Sequence, residues 1–388
     1  MDLERIEGFK DKRVLLLLLL VIVLGAGLRF WGLDIQSLWF DELGSWSAAH
    51  LVSFNRFVNA VLRYDVNPPG YYIFLHYWIK LGHSEVMLRI PSAIFGTLSI
   101  GVIFLLGCRI YSWREGLVSA VLMAVMKCPL YYSQEARAYS MLLLFSMLTV
   151  LLLMTIVDCL RNRNEVPVLL SGAYVMTAIV SCYVHYYGLY FIVLQGLVAA
   201  FYFCRSREGA RLFLIMSAFI VVAYLPWILV LSSTSRPDSW IEMPKSIGIC
   251  FNDLLIFMFN DSQVFVSAVL ALYCFLILRS SAKMIRSCIW SELLLIGWLI
   301  VPFVGAWVFS KVSHITILSD RYLIISLPAA YLLLSRSVIL LPLNFKIKSI
   351  GIAVLTAVLL CHLILGSGYY STSVKQYTHP PVPGHFMP

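Results

Sequence analysis

Charged residues are scarce in this chain: Asp, Glu, Lys and Arg make up 13% of its 388 residues, whereas 61% are hydrophobic. So little polar surface excludes a soluble domain of ordinary composition. Apolar runs of about 20 residues recur along the chain, and each is long enough to cross a hydrocarbon core as a helix. Because backbone groups in lipid must be paired within their own segment, we expect an all-α polytopic membrane protein.

Several familiar patterns are also missing. The nine cysteines lack the clustered spacing of a disulfide framework, and most lie in apolar runs. No Gly-rich phosphate loop or dinucleotide fingerprint indicates a nucleotide-sugar site. Without an internal repeat or low-complexity tract, we expect one transmembrane domain over residues 1–388. The first apolar run has no convincing cleavage site and ends in RFWGLD, which suits an interfacial anchor, so we expect a retained helix.

The apolar runs predict about eleven membrane-spanning helices. Their expected bounds are 14–33, 87–108, 116–133, 138–160, 167–183, 187–204, 211–232, 262–279, 288–309, 322–341 and 349–367. Alternate short connections hold most of the 29 basic residues. By the positive-inside rule, these connections and the N-terminus are cytoplasmic. The net charge of +9 is explained in this way without a nucleic-acid partner.

The opposite face has the two longest connections, about 34–86 and 233–261, and a balance of acids and bases. Each contains a segment, GYYIFLHYWIKLG or IGICFNDLLIFMF, that is apolar but too short to span comfortably. We expect these segments to be interfacial or re-entrant helices. The tail 368–388 is expected to be a short outer end. Chemistry that uses carboxylates is therefore expected at the outer face.

Two adjacent carboxylates occur in SLWFDELGSW, residues 37–46, just after the first apolar run. Asp41 and Glu42 lie among tryptophans at the predicted rim of the membrane, where burying a carboxylate costs less than at the bilayer centre but still requires a partner. One interpretation is a solvated loop in which Asp41 caps a short helix that begins at Glu42. The other is a pair of carboxylates that take part in chemistry.

Three further motifs place polar residues at the same face. In YDVNPPGYY, Asp65 and Asn67 precede a double proline that fixes an extended backbone, so a simple turn is one explanation. His185, in YVHYYG, is also explained by hydrogen bonding in an aromatic belt. In LSDRYLIISLPAAY, Arg321 and Tyr322 start the tenth span, where an arginine can anchor a helix in the headgroups.

The segment PLYYSQEARAYS lies between the third and fourth spans. Three of its residues have available structural roles: Ser133 as a helix cap, Glu135 at the positive end of the helix dipole, and Arg137 extending to the membrane surface. These roles do not explain why Gln134 and Tyr139 crowd the same membrane end. Acids and arginines from distant helices thus converge on one face, as in an active site built on a helix bundle.

The order of these motifs resembles a known family. LWFDE, NPPGYYIFLHYWIKLG, LRIPSAIFGTLSIGVIFLLG, YYSQEARAYS and DRYLIISLPA follow one another as in GT-C glycosyltransferases of the protein O-mannosyltransferase type, similar to glycosyltransferase family 39. That group includes the 4-amino-arabinose lipid A transferases. The resemblance runs from Trp31 to about Leu334. It implies a GT-C-like bundle in the bacterial inner membrane, with its active site on the periplasmic side.

The resemblance implies a hexosyl- or pentosyltransferase that moves a sugar from a polyprenyl-phosphate donor to a hydroxyl of a lipid, glycan or protein, with inversion. Asp41 would be the general base, because the acceptor oxygen must lose a proton as it attacks, and Glu42 would orient it or the acceptor. Arginine suits the departing phosphate, since its fork matches phosphate oxygens and stays charged. The implied phosphate-binding residues are Arg137, Arg321, Tyr139 and Tyr322. The implied pocket also includes Asp65, Asn67, Gln134 and His185, with a divalent cation (Mg, Mn or Zn) held by Asp65 and Glu135.

The sequence departs from this family in two places. Many relatives have His or Lys where this chain has Asn67, and relatives commonly continue beyond the last span into further helices or a soluble domain. Two alternatives stay open: a lipid or anion transporter or flippase, and an inactive scaffold that keeps the fold. Transporters usually have repeated halves and polar groups near the midplane. The only acid that we place deep in a span is Glu292, near its cytoplasmic end, which favours the enzyme.

Overall fold

A computed structural model describes residues 11–50, 67–162, 164–232, 247–259, 282–313 and 321–361, together with residues 263, 266, 267 and 269. Within these residues every regular element is helical and no strand occurs, so the predicted all-α architecture is confirmed. The helices in chain order are α1 (Lys12–Phe30), α2 (Phe40–His50), α3 (Gly70–Trp78), α4 (Glu85–Ile110), α5 (Trp113–Val125), α6 (Lys127–Ser133), α7 (Tyr139–Arg161), α8 (Val168–Val184), α9 (Tyr186–Phe203), α10 (Arg207–Ser232), α11 (Ile247–Met258), α12 (Ala282–Ser313), α13 (Leu327–Leu340) and α14 (Phe345–Cys361). Two 3-10 turns, Ile79–Leu81 and Tyr322–Ser326, follow α3 and precede α13.

Most apolar runs form helices close to their predicted bounds. In the described part of the chain, seven helices are long and apolar enough to cross a bilayer, and the bent pair α5–α6 makes eight when it is counted as one span. The chain is therefore an integral membrane protein. α8 and α14 have only 17 residues each. The predicted span 262–279 lies outside the described residues, apart from single positions, so the count of eleven crossings stays a prediction.

The buried centre of the bundle contains α4, which packs against α5 and α7, and α13, which packs against α5. The backbones of α4 and α5 approach closely at a pair of glycines. A Cβ atom added at Gly107 would lie 2.4 Å from the Cα atom of Gly116. Small residues permit such backbone contact between membrane helices. This close packing fixes the start of α5 against the end of α4.

A bend of 57° at Met126 divides one apolar segment into α5 and α6. The last carbonyls of a helix have no donors of their own. Arg29 of α1 is fully buried and donates hydrogen bonds to two of these carbonyls of α5. Its Nη2 donates to Met123 O at 2.7 Å and its Nη1 to Ala124 O at 3.1 Å. A cation is also favoured at a helix C-terminus by the helix dipole. Arg29 therefore supports the bend and does not itself extend to the membrane surface, whereas the role of the segment RFWGLD as an interfacial anchor stays a prediction.

Three helices are too short to span a bilayer: α2, α3 and α11 have 11, 9 and 12 residues. The apolar segments of the two long connections are thus short helices over most of their length. α2 begins at Phe40, so Asp41 lies in its first turn and is not the N-cap. Carboxylates in the first turn are favoured by the helix dipole. The interpretation that Asp41 caps a helix beginning at Glu42 is therefore wrong, because the helix begins at Phe40.

Ion pairs also join helices at the end of the bundle that lies away from Asp41. Arg336 Nη1 of α13 lies 2.6 Å from Glu115 Oε1 of α5, and the Glu115 side chain is only 2% exposed. Glu292 of α12 is further from the same arginine, with 3.9 Å between Oε1 and Nε. Arg109 of α4 pairs with Asp158 of α7 at 2.7 Å in a more exposed position. α13 is thus fixed to α5 at this end.

Candidate active site

The Asp41 carboxylate lies between two arginines. Its Oδ2 accepts a hydrogen bond from Arg321 Nη1 at 2.8 Å and lies 4.0 Å from Arg137 Nη2. The Asp41 side chain is 22% exposed, so a reactant can reach it although it is partly desolvated. α2 supplies the aspartate, the turn between α6 and α7 supplies Arg137, and Arg321 precedes the 3-10 turn before α13. The structure therefore brings three of the predicted site residues together.

Arg137 is 5% exposed, and the alternative that it extends to the membrane surface is wrong. Its Nη1 donates to the backbone carbonyl of Asp41 at 3.3 Å, to Ser45 Oγ at 3.3 Å and to Tyr72 OH at 3.2 Å. Its guanidinium carbon also lies 5.8 Å from the centre of the Tyr139 ring, within cation–π range. A buried cation needs such partners to offset its desolvation. They hold Arg137 beside the first turn of α2.

Arg321 is the more exposed of the two arginines, with 33% of its side chain accessible. Its guanidinium carbon lies 5.5 Å from the centre of the Tyr322 ring. Coulomb interactions, with Tyr139 above all and also with Asp41, raise the pKa of Arg321 above its ordinary value. The guanidinium is therefore charged at every physiological pH. A partly exposed, permanent cation beside a carboxylate suits the binding of a phosphate.

Glu42 differs sharply in environment from its neighbour, because successive residues of a helix face different directions. It is fully buried. Its Oε1 accepts from Arg89 Nε and from the Ala136 backbone N–H, both at 2.8 Å. Its Oε2 accepts from Arg89 Nη2 at 2.7 Å and from the Trp39 backbone N–H at 3.3 Å. Each oxygen of Glu42 thus accepts hydrogen bonds from two protein donors, and these bonds hold Glu42 and the start of α2 in place. Its role in orienting Asp41 or the substrate hydroxyl stays a prediction.

Arg89 of α4 is the partner that sequence reasoning missed. It is 1% exposed and also donates to three backbone carbonyls of the segment between α1 and α2. These are the carbonyls of Leu33 and Gln36, each at 2.7 Å, and of Ser37 at 3.1 Å. One available signal was an arginine inside an apolar span, since such a charge is expensive without a partner. The partner itself, 47 residues away, is not visible in the local pattern.

Gln134 and Ser133 lie next to this site but contact α1. Gln134 Nε2 donates to the carbonyls of Leu28, Arg29 and Trp31, the last at 2.7 Å, and so caps the end of α1. Ser133 is the last residue of α6, and α7 begins at Tyr139, so the expected helix cap at Ser133 is wrong. Its Oγ accepts from Arg29 Nε at 3.1 Å and donates to the Pro129 carbonyl. Both side chains therefore fix the turn that carries Arg137.

An aromatic cluster adjoins the arginines. The Tyr322 ring lies 4.8 Å from the His185 ring, 5.5 Å from that of Tyr187 and 6.3 Å from that of Tyr139, measured between centres. His185 is the N-cap of α9, and its Nδ1 accepts from the Tyr187 backbone N–H at 3.1 Å. Tyr322 is the most accessible member, since the other three are buried. The three buried rings pack against Tyr322 and so hold its ring at the edge of the site. Tyr187 was not singled out in the sequence.

The predicted metal ligands do not form a site within the described residues. Glu135 is fully buried in the turn between α6 and α7, and Asp65 lies outside the described part of the chain. Among the described residues, no group of three or more His, Cys, Asp or Glu side chains is placed to hold a metal ion. Asn67 is described and is buried. The divalent-cation hypothesis stays a prediction that depends on Asp65.

The helical arrangement matches solved structures. The fold is similar to that of ArnT from Cupriavidus metallidurans bound to undecaprenyl phosphate, with a TM-score of 0.60 and 17% sequence identity. It is also similar to the same protein in the apo state, with a TM-score of 0.61 and 18% identity. The chain has the GT-C glycosyltransferase fold. The match covers 90% of this chain and 65% of each ArnT chain, so the chain spans about two thirds of the length of these GT-C proteins.

Residues 66–232 also match the family model of dolichyl-phosphate-mannose-protein mannosyltransferases. That region contains Arg89, Arg137 and His185, whereas Asp41 and Arg321 lie on either side of it. No curated protein sequence matches the chain. The resemblance to GT-C enzymes that the motifs suggested is confirmed for the fold by the structures and for the middle of the chain by the family model.

Proposed function

We propose that this chain is a membrane glycosyltransferase that moves a hexose or pentose from a polyprenyl-phosphate donor to an acceptor hydroxyl at the outer, periplasmic face. The observation that carries the proposal is the partly exposed Asp41 carboxylate between Arg321 and Arg137, in a bundle with the GT-C fold. The relative that binds undecaprenyl phosphate supports a polyprenyl phosphate as the lipid. The acceptor class, whether lipid, glycan or protein, is open in this proposal.

Each component of the site has a defined task in the transfer. Asp41 accepts the proton of the acceptor hydroxyl as the acceptor oxygen forms a bond to the anomeric carbon. The bond between that carbon and the phosphate oxygen breaks at the same time, and the polyprenyl phosphate departs with an additional negative charge. Arg321 and Arg137 stabilise this charge, as fixed cations do in other transfer sites. Because a single displacement occurs, the anomeric configuration is inverted.

Aromatic side chains support a location of this site at the membrane boundary. Trp31, at the end of α1, is 70% exposed, and Phe40 and Trp46 of α2 are 56% and 40% exposed. Tryptophan is enriched at bilayer interfaces, where a lipid headgroup would present its phosphate. The excess of basic residues in the alternate connections supports an outer rather than a cytoplasmic site.

The test is sugar transfer by the purified protein from a panel of radiolabelled polyprenyl-phosphate sugars to total membrane acceptors. Asp41→Asn is expected to reduce transfer by roughly 10²- to 10⁴-fold, the usual contribution of a general base. Asp158→Asn is the matched control, because Asp158 is an acid paired with arginine at the other end of the bundle, and it is expected to leave transfer unchanged. A chelator arm tests the divalent-cation hypothesis separately.

Two results would overturn the proposal. Full transfer by Asp41→Asn would remove the assigned base. Failure of the wild-type protein to consume any donor, although it binds polyprenyl phosphate, would instead favour the transporter or inactive scaffold.

A further inference from the structure

Two histidine rings meet where α2 ends and the turn before α4 begins. The ring centres of His50 and His83 are 5.6 Å apart, with 38° between the ring planes. His50, the last residue of α2, is half-buried, and His83 is exposed. Neither residue has a role in the Asp41 site, and no motif assigned one to them.

The hydrogen bonding of His50 fixes which nitrogen is available. Its Nδ1 lies 2.8 Å from the backbone carbonyl oxygen of Trp46. A carbonyl oxygen only accepts, so Nδ1 carries the proton and Nε2 keeps its lone pair in the neutral ring. Metal-binding histidines have this same arrangement, in which the second ring nitrogen donates to a carbonyl or carboxylate. The Trp46 ring, 4.3 Å away between centres, also packs against the imidazole.

The separation of the two rings suits a shared ion. Imidazole nitrogen binds Zn²⁺ at about 2.0–2.1 Å, so two rings on one tetrahedral ion have their centres about 5 to 6 Å apart. The observed 5.6 Å falls within this range. His83 makes no hydrogen bond to other described residues, and its exposure allows the ring to turn toward an ion.

We propose that His50 and His83 form a site for a divalent transition-metal ion, such as Zn²⁺ or Cu²⁺, with water completing the coordination sphere. Imidazole is a preferred ligand for these ions. The bound ion links the C-terminal end of α2 to the turn before α4. The N-terminal end of α2 is already joined to α4 by Glu42 and Arg89. The ion therefore makes a second connection between the same two elements, whatever reaction the protein performs.

Cu²⁺ serves as a spectroscopic probe of this site in the purified, tag-free protein. The electron paramagnetic resonance spectrum of the bound ion is expected to show two coupled imidazole nitrogens in the wild type and one in His83→Ala or His50→Ala. Zn²⁺ affinity, measured by calorimetry, is expected to fall at least about tenfold in each variant. Zn²⁺ is also expected to raise the thermal unfolding temperature of the wild type but not that of His50→Ala or His83→Ala.

His76→Ala is the matched control. His76 lies in the same region, and its Nδ1 also contacts a carbonyl, that of Ala49 at 2.7 Å, but its ring is not part of the pair. Each variant replaces one histidine and keeps all the others, so a loss of binding that is specific to His50→Ala and His83→Ala reports on this site. A wild-type spectrum with one nitrogen, or unchanged Zn²⁺ affinity in His83→Ala, would overturn the proposal. Equal loss of binding in His76→Ala would also do so. If His50→Ala does not fold, His83→Ala and His83→Gln decide the question, because His83 is exposed.

Discussion

Replacing Glu42 with alanine is expected to destabilise the bundle strongly. The change removes both bonds to Arg89 and leaves the buried Ala136 N–H without its acceptor. Removing one partner of a buried ion pair costs about 3–5 kcal/mol, and a buried unpaired N–H costs about 1–3 kcal/mol. Because Arg89 keeps three backbone carbonyls as acceptors, the lower end of each range applies. We therefore expect a loss of about 4 kcal/mol in the free energy of unfolding.

The assay is reversible unfolding in mixed micelles with increasing sodium dodecyl sulfate, followed by tryptophan fluorescence. Asp158→Ala is the matched control, because it breaks an arginine pair in which Asp158 is 46% exposed and Arg109 is 20% exposed. Such a pair contributes about 0–1 kcal/mol. If Glu42→Ala costs no more than Asp158→Ala, the buried carboxylate does not fix α2 as argued.

A double-mutant cycle with Arg89→Met separates the pair from its surroundings. Side chains in direct contact have coupling energies of about 0.5–3 kcal/mol, and a bidentate buried pair is expected near the upper limit. The three carbonyls that Arg89 also satisfies contribute to the Arg89→Met change alone and cancel from the cycle. A coupling energy near zero would refute the interpretation that the two side chains act as one unit.

Two further predictions concern the phosphate and the helix packing. Arg321→Ala is expected to lower kcat/KM for the lipid-linked donor about ten- to a hundredfold, the equivalent of one charge-assisted hydrogen bond of about 1.5–3 kcal/mol. Kinetics across donor concentrations test this, and an unchanged kcat/KM would exclude Arg321 from the site. Gly107→Ala is expected to destabilise the protein by about 1–3 kcal/mol, because its Cβ would meet Gly116. Gly101→Ala is the control in the same helix, because its added Cβ would meet no atom of another helix within 4 Å, and in the same unfolding assay it is expected to leave stability unchanged or to raise it by up to about 1 kcal/mol through helix propensity.

The sequence predicted the helices well because each apolar run carries its own signal of length and hydropathy. It also singled out Asp41, Arg137 and Arg321, since charged residues are rare enough here for each to be noticed. The sequence did not predict which charged side chains form pairs with one another. Arg137 has the length and position to reach a membrane surface, yet it lies inside because α2 and α3 provide acceptors there.

Asp41 and Glu42 show the same limit in a single dipeptide. The motif SLWFDELGSW predicted the same membrane depth for both carboxylates and did not by itself distinguish their roles. Their difference comes from Arg89, which approaches one of them from α4 and cannot be placed by local periodicity. Pairings across tens of residues depend on how the helices pack, and packing is decided by close contacts such as the one at Gly107.

The burial of Arg29 has a consequence for the order in which the chain is assembled. Because a chain is synthesised from its N-terminus, α1 is made before α5 and α6, and Met123 and Ala124 are not yet available to accept the guanidinium of Arg29. Until then, the arginine, one residue from the end of α1, must keep its charge among the headgroups. Only when the bent segment arrives can the charge be drawn inward. The bend in a later helix therefore completes the polar contacts of the first helix.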